Sequence, residues 1–96
     1  FDADKLDVLG AIGAARTIAY AALAGQPTYA EPSEKFLTSG EKESGEQHSS
    51  YHEYLFKLRR VKDLMFTQTG KRIAKQRDAY LRGFYTQLQA ECRGER

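Results

Sequence analysis

The sequence predicts an all-α fold made of one buried central helix, a long polar loop and two amphipathic helices. An apolar run extends from Lys5 to about Ala24, and residues 51–66 and 71–92 repeat apolar side chains at spacings of three and four. Those spacings place apolar side chains on one face of a helix, whereas a half-buried strand needs them at alternate positions. We find no strand candidate of any length, so the chain is expected to be helical throughout.

The first predicted helix, from Lys5 to about Ala24, carries apolar residues on every face, which is typical of a helix at the centre of a fold. Gly10 and Gly13 lie three positions apart and leave one side of this helix nearly bare, so another backbone or a ligand can approach there. Asp2 or Asp4 is expected to cap its amino end, because early carboxylates suit the positive end of the helix dipole.

Residues 26–50 contain both prolines of the chain and many polar side chains without a sustained period. This composition predicts a long, mobile loop. Unstructured loops of that length are uncommon inside compact domains, so the segment is expected to be a functional cover or a flexible insertion. Tyr29, Phe36 and Leu37 are the side chains expected to pin it to the core.

The second and third predicted helices are amphipathic and are expected to pack over the first. In residues 51–66 the apolar stripe consists of Tyr51, Tyr54, Leu55, Leu58, Val61 and Met65. In the third helix, from about Lys71 to Cys92, the expected inner face consists of Ile73, Tyr80, Leu81, Phe84 and Leu88. Between them, the sequence TQTGKR predicts a cap at Thr67 or Thr69 and a turn at Gly70, because no strand precedes it as in a phosphate-binding loop.

Charge is divided unevenly along the 96 residues. Residues 1–48 carry four Lys or Arg against eight Asp or Glu, whereas residues 49–96 carry eleven against five. Mutual attraction of the two halves explains this division, and a phosphate or nucleic-acid surface in the second half is the alternative.

Composition also indicates where the protein is expected to be located. The single cysteine, Cys92, excludes an internal disulfide and favours a cytoplasmic location. Arg16 lies in the middle of the apolar run, which argues against a membrane span. The chain does not begin with Met and has no signal-peptide pattern, so we expect it to start inside a longer protein.

The stretch DADKLD places Asp2, Asp4 and Asp7 immediately before the apolar run. Carboxylates held at the start of a helix can bind a hard metal ion, but capping needs only one of them. A hydrolytic metal site would also need histidines or further carboxylates, and His48 and His52 are not spaced as a ligand pair. From spacing alone, both interpretations remain open.

Two segments resemble the HD-domain phosphohydrolases. DADKLDVLGAIGAAR is similar to the DADRLDAIGAIGIAR segment of a small bacterial and fungal branch of that family. FKLRRVKDLMFTQTGKRIAKQRDAYL resembles its EKLLKLKDLMNTETGRRLAEERHAFM segment, in the same register from Lys57 through Leu81. The resemblance covers residues 1 to about 91 except the long loop. It implies an HD-domain fold and a metal-dependent hydrolase of phosphate esters or anhydrides, with nucleotides as the expected substrates.

The resemblance implies that Asp4, in its Ala-Asp-Lys-Leu context, is a ligand of a divalent metal ion such as Mn, Mg, Fe, Co or Ni. Asp2 is the second choice, and Asp7 is expected to orient a neighbour or to cap. The family's other ligands, a first His and an adjacent His-Asp pair, would precede Phe1, because residues 1–96 contain no His-Asp dipeptide. The chain is therefore expected to be the carboxyl-terminal part of such a protein, inactive and unable to hold metal tightly by itself.

Two cationic residues are implied to bind substrate. Arg16 lies in the family's GAIGIAR-like stretch and is expected to contact a substrate phosphate bidentately, with an internal ion pair as the alternative. Lys57 is expected to reach a phosphate, or else to lie on a solvated helix face. Relatives place a His where this chain has Glu53, one position from His52, which leaves the role of that His open.

Two rival functions come from other classes. The basic run Lys71, Arg72, Lys75 and Arg77, with Tyr80 and Tyr85 nearby, is the feature that would suit a helical module binding nucleic acid or an acidic partner. A non-catalytic HD scaffold is the second rival. Cys92 has no neighbouring side chain to activate it and is expected to be inert. The expected partners are a phosphate substrate and the preceding part of the same protein, without a membrane or nucleic acid.

Overall fold

The computed structural model describes residues 2–96, which form five α-helices and one 3₁₀ helix. They are α1 (Asp2–Leu6), α2 (Gly10–Leu23), α3 (Glu34–Ser39), α4 (Ser50–Phe56), the 3₁₀ segment (Leu58–Leu64) and α5 (Gln68–Cys92). The described residues contain no strand, which confirms the predicted all-α class. Within the same residues, no helix has the length and apolar character needed to cross a membrane.

The first predicted helix is divided into α1 and α2 by a turn at residues 7–9. Gly10 has a φ of +67°, a conformation that glycine adopts without steric cost. The turn folds over Gly13, where a Cβ atom would overlap the carbonyl group of Val8. A backbone therefore approaches the bare side of the helix, as the glycine spacing predicted, and it belongs to the turn that interrupts the helix.

One face of α2 is buried by residues 2–96, and the other is open. Gly10, Gly13, Ala14 and Ala21 are its buried residues. On the opposite side Ile12, Tyr20 and Leu23 are 53%, 64% and 85% exposed. The expectation of burial on every face is therefore not met within the described residues, because α4 and α5 cover only one side of α2.

Residues 26–50, predicted to be a loop, contain the short helix α3, which Ser33 caps by accepting a hydrogen bond from the Phe36 amide at 3.0 Å. Phe36 is buried, and its ring centroid lies 4.6 Å from that of His52. Tyr29 packs on Tyr51 with their centroids 5.1 Å apart. These two side chains pin the segment as expected, whereas Leu37 is 52% exposed and does not.

The core lies between α4, the 3₁₀ segment and α5. All six residues of the predicted stripe in residues 51–66 are buried, although the helix changes from α to 3₁₀ after Lys57. On α5, Leu81 is buried as predicted and Phe84 and Leu88 pack against the core. Tyr80 was placed wrongly on the inner face, since it is 53% exposed and the fully buried tyrosine is Tyr85.

Tyrosine rings form much of this core. The centroids of Tyr54 and Tyr85 are 4.8 Å apart and their rings are stacked. Tyr51 lies 5.9 Å from Tyr85, and Tyr29 extends the group beyond Tyr51. The buried Tyr85 hydroxyl donates to Ser50 Oγ at 3.1 Å, so the one polar atom of the side chain is satisfied. We call these four residues the tyrosine cluster.

Candidate ligand-binding cavity

A cavity of about 550 Å³ lies between α2 and the chain that leads into and through α4. On α2 it is lined by Gly13, Arg16, Thr17, Tyr20, Ala21 and Ala24, followed by Gln26. On the other side it is lined by Lys42, His48, Glu53, Lys57 and Leu58. Its volume falls in the range of small-molecule sites.

Hydrogen bonds at both ends show that the two walls of this cavity run antiparallel. At the start of α4, Ser50 Oγ donates to the carbonyl oxygen of Thr28 at 2.7 Å, shortly after α2 ends. At the other end, Asp2 of α1 accepts from the amides of Phe66 and Thr67, which follow the 3₁₀ segment. Lys57, which follows α4, therefore lies toward the amino-terminal half of α2.

Arg16 and Lys57, the two residues implied to bind substrate, line this same cavity. Both are exposed, and within residues 2–96 neither forms an ion pair with a carboxylate. An Arg guanidinium presents a fork of N–H donors suited to phosphate oxygens, and a Lys ammonium adds a compact positive charge. This part of the cavity, which we call the cationic end, can bind an anion.

Sequence reasoning missed a second pair of side chains in the cavity. His48 Nε2 lies 2.8 Å from Glu53 Oε1, and the two residues are five positions apart on either side of the α4 cap. The Nδ1 atom of His48 is buried and has no hydrogen-bond partner among the described residues. In the sequence, this pair is a His and a Glu on either side of the two serines that begin α4. Their spacing is not a regular ligand spacing, so it did not stand out.

His52 lies outside the cavity and is fully buried. Its Nε2 is 2.8 Å from Glu46 Oε2, and its Nδ1 is 2.8 Å from Ser49 Oγ. Glu46 also accepts bonds from Ser33 and from the Glu43 amide at 2.8 Å. Burial opposes the charged form of Glu46, but the bonds from Ser33, His52 and Glu43 outweigh it and lower the pKa of Glu46 to about 2. We call these five residues the Glu46 cluster.

Asp2 lies at the start of α5. Its carboxylate accepts from the amides of Phe66 and Thr67, both at 3.0 Å, and from the Thr67 hydroxyl at 2.7 Å. These bonds, with the Phe66 amide contributing most, lower the pKa of Asp2 to about 2. Thr67 caps α5 as predicted, whereas Gly70 lies inside the helix, where a Cβ atom would overlap the Asp2 carboxylate. Both oxygens of Asp2 are thus used to join α1 to α5.

Asp4 and Asp7 are exposed and do not line the cavity. Among the described residues, the Asp4 carboxylate has no hydrogen-bond or ion-pair partner, so its oxygens are available. Residues 2–96 contain no group of three or more His, Cys, Asp or Glu side chains that could hold a metal ion. The donors present in this chain therefore do not form a metal site by themselves.

One residue of the basic run on α5, Arg77, is used in contacts within the fold. Arg77 Nη1 donates to the Leu6 carbonyl at 3.2 Å, and its aliphatic part packs near Gly10. Tyr85, named as an aromatic neighbour for nucleic-acid binding, is fully buried in the core. Cys92 is an exposed free thiol. These contacts leave the cavity as the better-formed candidate site.

No protein-family model matches the chain. The Bacillus subtilis protein YpgQ, which is uncharacterized, is 32% identical over 93 residues, covering 97% of this chain and 38% of YpgQ. A crystal structure of an HD-superfamily hydrolase from Bacillus thuringiensis matches with a TM-score of 0.74 and 35% identity, covering 96% of this chain and 43% of that one. The structure of YpgQ in complex with ADP matches with a TM-score of 0.69 and 28% identity, over 94% and 40% of the two chains.

These similarities show that the chain has the helical fold of HD-superfamily hydrolases. The chain spans about two fifths of the length of each of these relatives.

Proposed function

We propose that this chain, with its HD-type hydrolase fold, is the carboxyl-terminal part of a metal-dependent phosphohydrolase, and that its cavity binds the phosphates of a nucleotide. The observation that carries the proposal is that Arg16 and Lys57 line one cavity and that neither has a carboxylate partner within residues 2–96. The ADP complex of YpgQ, a relative of the same fold, supports a nucleotide as the ligand.

The open face of α2 supports the view that residues 1–96 are one part of a single HD-type domain. Ile12 and Leu23, which do not line the cavity, are 53% and 85% exposed on this face. Exposed apolar surfaces of this kind on a helix commonly mark contacts with further protein. We propose that the preceding part of the same protein covers this face and supplies the remaining residues of the site.

Asp4 is proposed to supply one carboxylate ligand to a divalent ion. One carboxylate is too few to hold such an ion, so the other ligands must come from outside residues 2–96. Arg16 and Lys57 have a separate role, which is to bind and orient phosphate oxygens through charge-assisted hydrogen bonds. In the cavity, Glu53 would repel a phosphate, and its contact with His48 holds its carboxylate on the wall opposite α2.

The experiment is to replace Arg16 and Lys57 by Gln, singly and together, in the full-length protein and to measure binding of ADP and of inorganic pyrophosphate. Each single variant is expected to weaken both ligands by about tenfold or more, because each removes a charge-assisted contact. Arg59→Gln and Lys35→Gln are matched controls, since both residues are exposed and lie outside the cavity. Unchanged binding in the double variant would refute the phosphate assignment.

A further inference from the structure

The two ends of the cavity differ in chemistry. Arg16 and Tyr20 on α2 and Ala24, its C-cap residue, succeed one another at intervals of four, so they lie on one side of the helix. With a rise of about 1.5 Å per residue, this wall extends roughly 12 Å from Arg16 to Ala24. The cationic end is thus separated from a second end formed by a tyrosine ring and alanine methyl groups, which we call the apolar end.

Tyr20 offers a free aromatic face at the apolar end. Its side chain is 64% exposed, and its hydroxyl has no hydrogen-bond partner within residues 2–96. Ala21 and Ala24 are small enough to leave room beside the ring, and Gln26 adds an amide that can both donate and accept hydrogen bonds. An apolar wall with a few polar groups is the composition expected of a pocket for a flat heterocycle.

We propose that the nucleobase of the bound nucleotide stacks on Tyr20 at the apolar end, with the Gln26 amide near the base edge. This inference rests on the proposed function, which places the phosphates on Arg16 and Lys57. A nucleotide has an anionic end and an aromatic end, and the cavity presents a cation pair and an aromatic ring in the same order along α2. The ligand class that this order selects is a nucleoside phosphate rather than a sugar phosphate.

Lys42 makes the opposite orientation a real alternative. It also lines the cavity, from the 26–50 segment, and belongs to the wall opposite α2. Phosphates bound to Lys42 would place the base near Arg16 and Lys57. In that case Lys42→Gln, and not Arg16→Gln, would remove pyrophosphate binding, and our assignment of the two ends would be overturned.

The test compares ADP with inorganic pyrophosphate in calorimetric titrations of the full-length protein. Tyr20→Ala is expected to weaken ADP binding by about tenfold, the usual cost of losing one aromatic stack, and to change pyrophosphate binding less than twofold. Tyr20→Phe keeps the ring and should bind both ligands like the wild type. Tyr80→Ala is the matched control, because Tyr80 is 53% exposed on α5 and lies away from the cavity.

Tyr20→Leu separates stacking from packing against the rest of the protein, since it keeps an apolar side chain without a ring. A Leu variant with wild-type melting temperature and weakened ADP binding supports the inference. Equal losses for ADP and pyrophosphate in Tyr20→Leu, or no loss for either, would overturn it. If the Arg16→Gln, Lys57→Gln double variant and Lys42→Gln both leave pyrophosphate binding unchanged, the proposed function itself fails, and this result is distinct from a failure of the base assignment.

Discussion

The chain contains two His–Glu pairs with the same contact distance and opposite surroundings. His52 and Glu46 meet at 2.8 Å in the Glu46 cluster, where the side chains are 0% and 8% exposed. His48 and Glu53 also meet at 2.8 Å, but on the cavity wall, where they are 19% and 44% exposed. The first pair has partners for both imidazole nitrogens, whereas the second leaves the Nδ1 atom of His48 unpaired.

The comparison teaches that satisfaction of polar groups, more than their identity, separates the structural residues of this chain from those proposed to bind a ligand. Buried polar groups are costly unless they are hydrogen-bonded, so a fully satisfied cluster stabilises the fold and has nothing left to offer a ligand. Asp2 and Asp4 repeat the contrast. Asp2 uses both oxygens to join α1 to α5, and Asp4 uses neither within the described residues.

The largest expected effect comes from removing the carboxylate of Asp4. Asp4→Ala in the full-length protein should lower metal-dependent hydrolysis of a nucleotide by at least about 100-fold, because a direct ligand matters more than the outer partners of a metal. Its melting temperature should stay near that of the wild type, since Asp4 is exposed and has no partner within residues 2–96. Asp2→Ala should instead lower the melting temperature, as it releases the start of α5.

Asp63→Ala is the control for Asp4, because Asp63 is an exposed carboxylate outside both the cavity and the α1–α5 junction. It should change neither activity nor melting temperature. Full activity in Asp4→Ala would contradict the metal assignment. A wild-type protein that hydrolyses no nucleotide would instead favour the non-catalytic scaffold.

A second effect is a loss of stability in acid, which we expect from the hydrogen-bonded carboxylates of Asp2 and Glu46. The pKa values of Asp2 and Glu46 are lowered from 3.8 and 4.5 to about 2 by folding, so the unfolded chain binds more protons below pH 4.5. Their contribution is therefore complete above about pH 4.5 and is lost as the pH falls toward 2. Urea unfolding of the full-length protein at pH 6, 4 and 3 should show this decrease.

Glu46→Gln should be less stable than the wild type at pH 6 and should lose less stability on going to pH 3. Glu34→Gln is its control, because Glu34 is exposed and lies outside the Glu46 cluster. Parallel pH profiles for Glu46→Gln and the wild type would show that the cluster is not the source of the acid sensitivity.

The smallest effect concerns a single buried hydrogen bond. Tyr85→Phe removes the hydroxyl that donates to Ser50 Oγ at 3.1 Å and should lower the free energy of unfolding by about 1 kcal/mol. Tyr80→Phe removes an exposed hydroxyl and should change it by much less. Equal values for the two variants, measured by urea unfolding, would mean that the Ser50 contact adds no net stability.

The regular part of the fold could be predicted from the sequence. The stripe from Tyr51 to Met65 was identified in full, because side chains at spacings of three and four share a face of an α-helix and those at a spacing of three share a face of a 3₁₀ helix. The predicted inner face of α5 differed from the observed one, because an acidic residue is among the buried positions Ala74, Asp78, Leu81 and Tyr85. Lys62 Nζ, 16 positions away, lies 3.8 Å from Asp78 Oδ2, whereas Asp78 Oδ1 has no hydrogen-bond partner among the described residues.

The site was less predictable, because it depends on the path of the chain between helices. Arg16 and Lys57 were named individually from the family resemblance, and their sharing of one cavity follows from the antiparallel arrangement of α2 and α4. Glu46 reaches Ser33 across 13 positions inside a segment without periodicity, so no local pattern indicates their contact. The metal role of Asp4 stays a prediction, since residues 2–96 contain no group of three or more His, Cys, Asp or Glu side chains that could hold a metal ion.

The tyrosine cluster gives the chain a built-in optical probe. This sequence contains no tryptophan, so within it no indole group can quench tyrosine emission by accepting its excitation energy. Tyr54 and Tyr85 come from α4 and α5 and stack at 4.8 Å, which means that their emission responds directly to the docking of those two helices. Tyrosine fluorescence of this chain can therefore follow the assembly of its core without an added label.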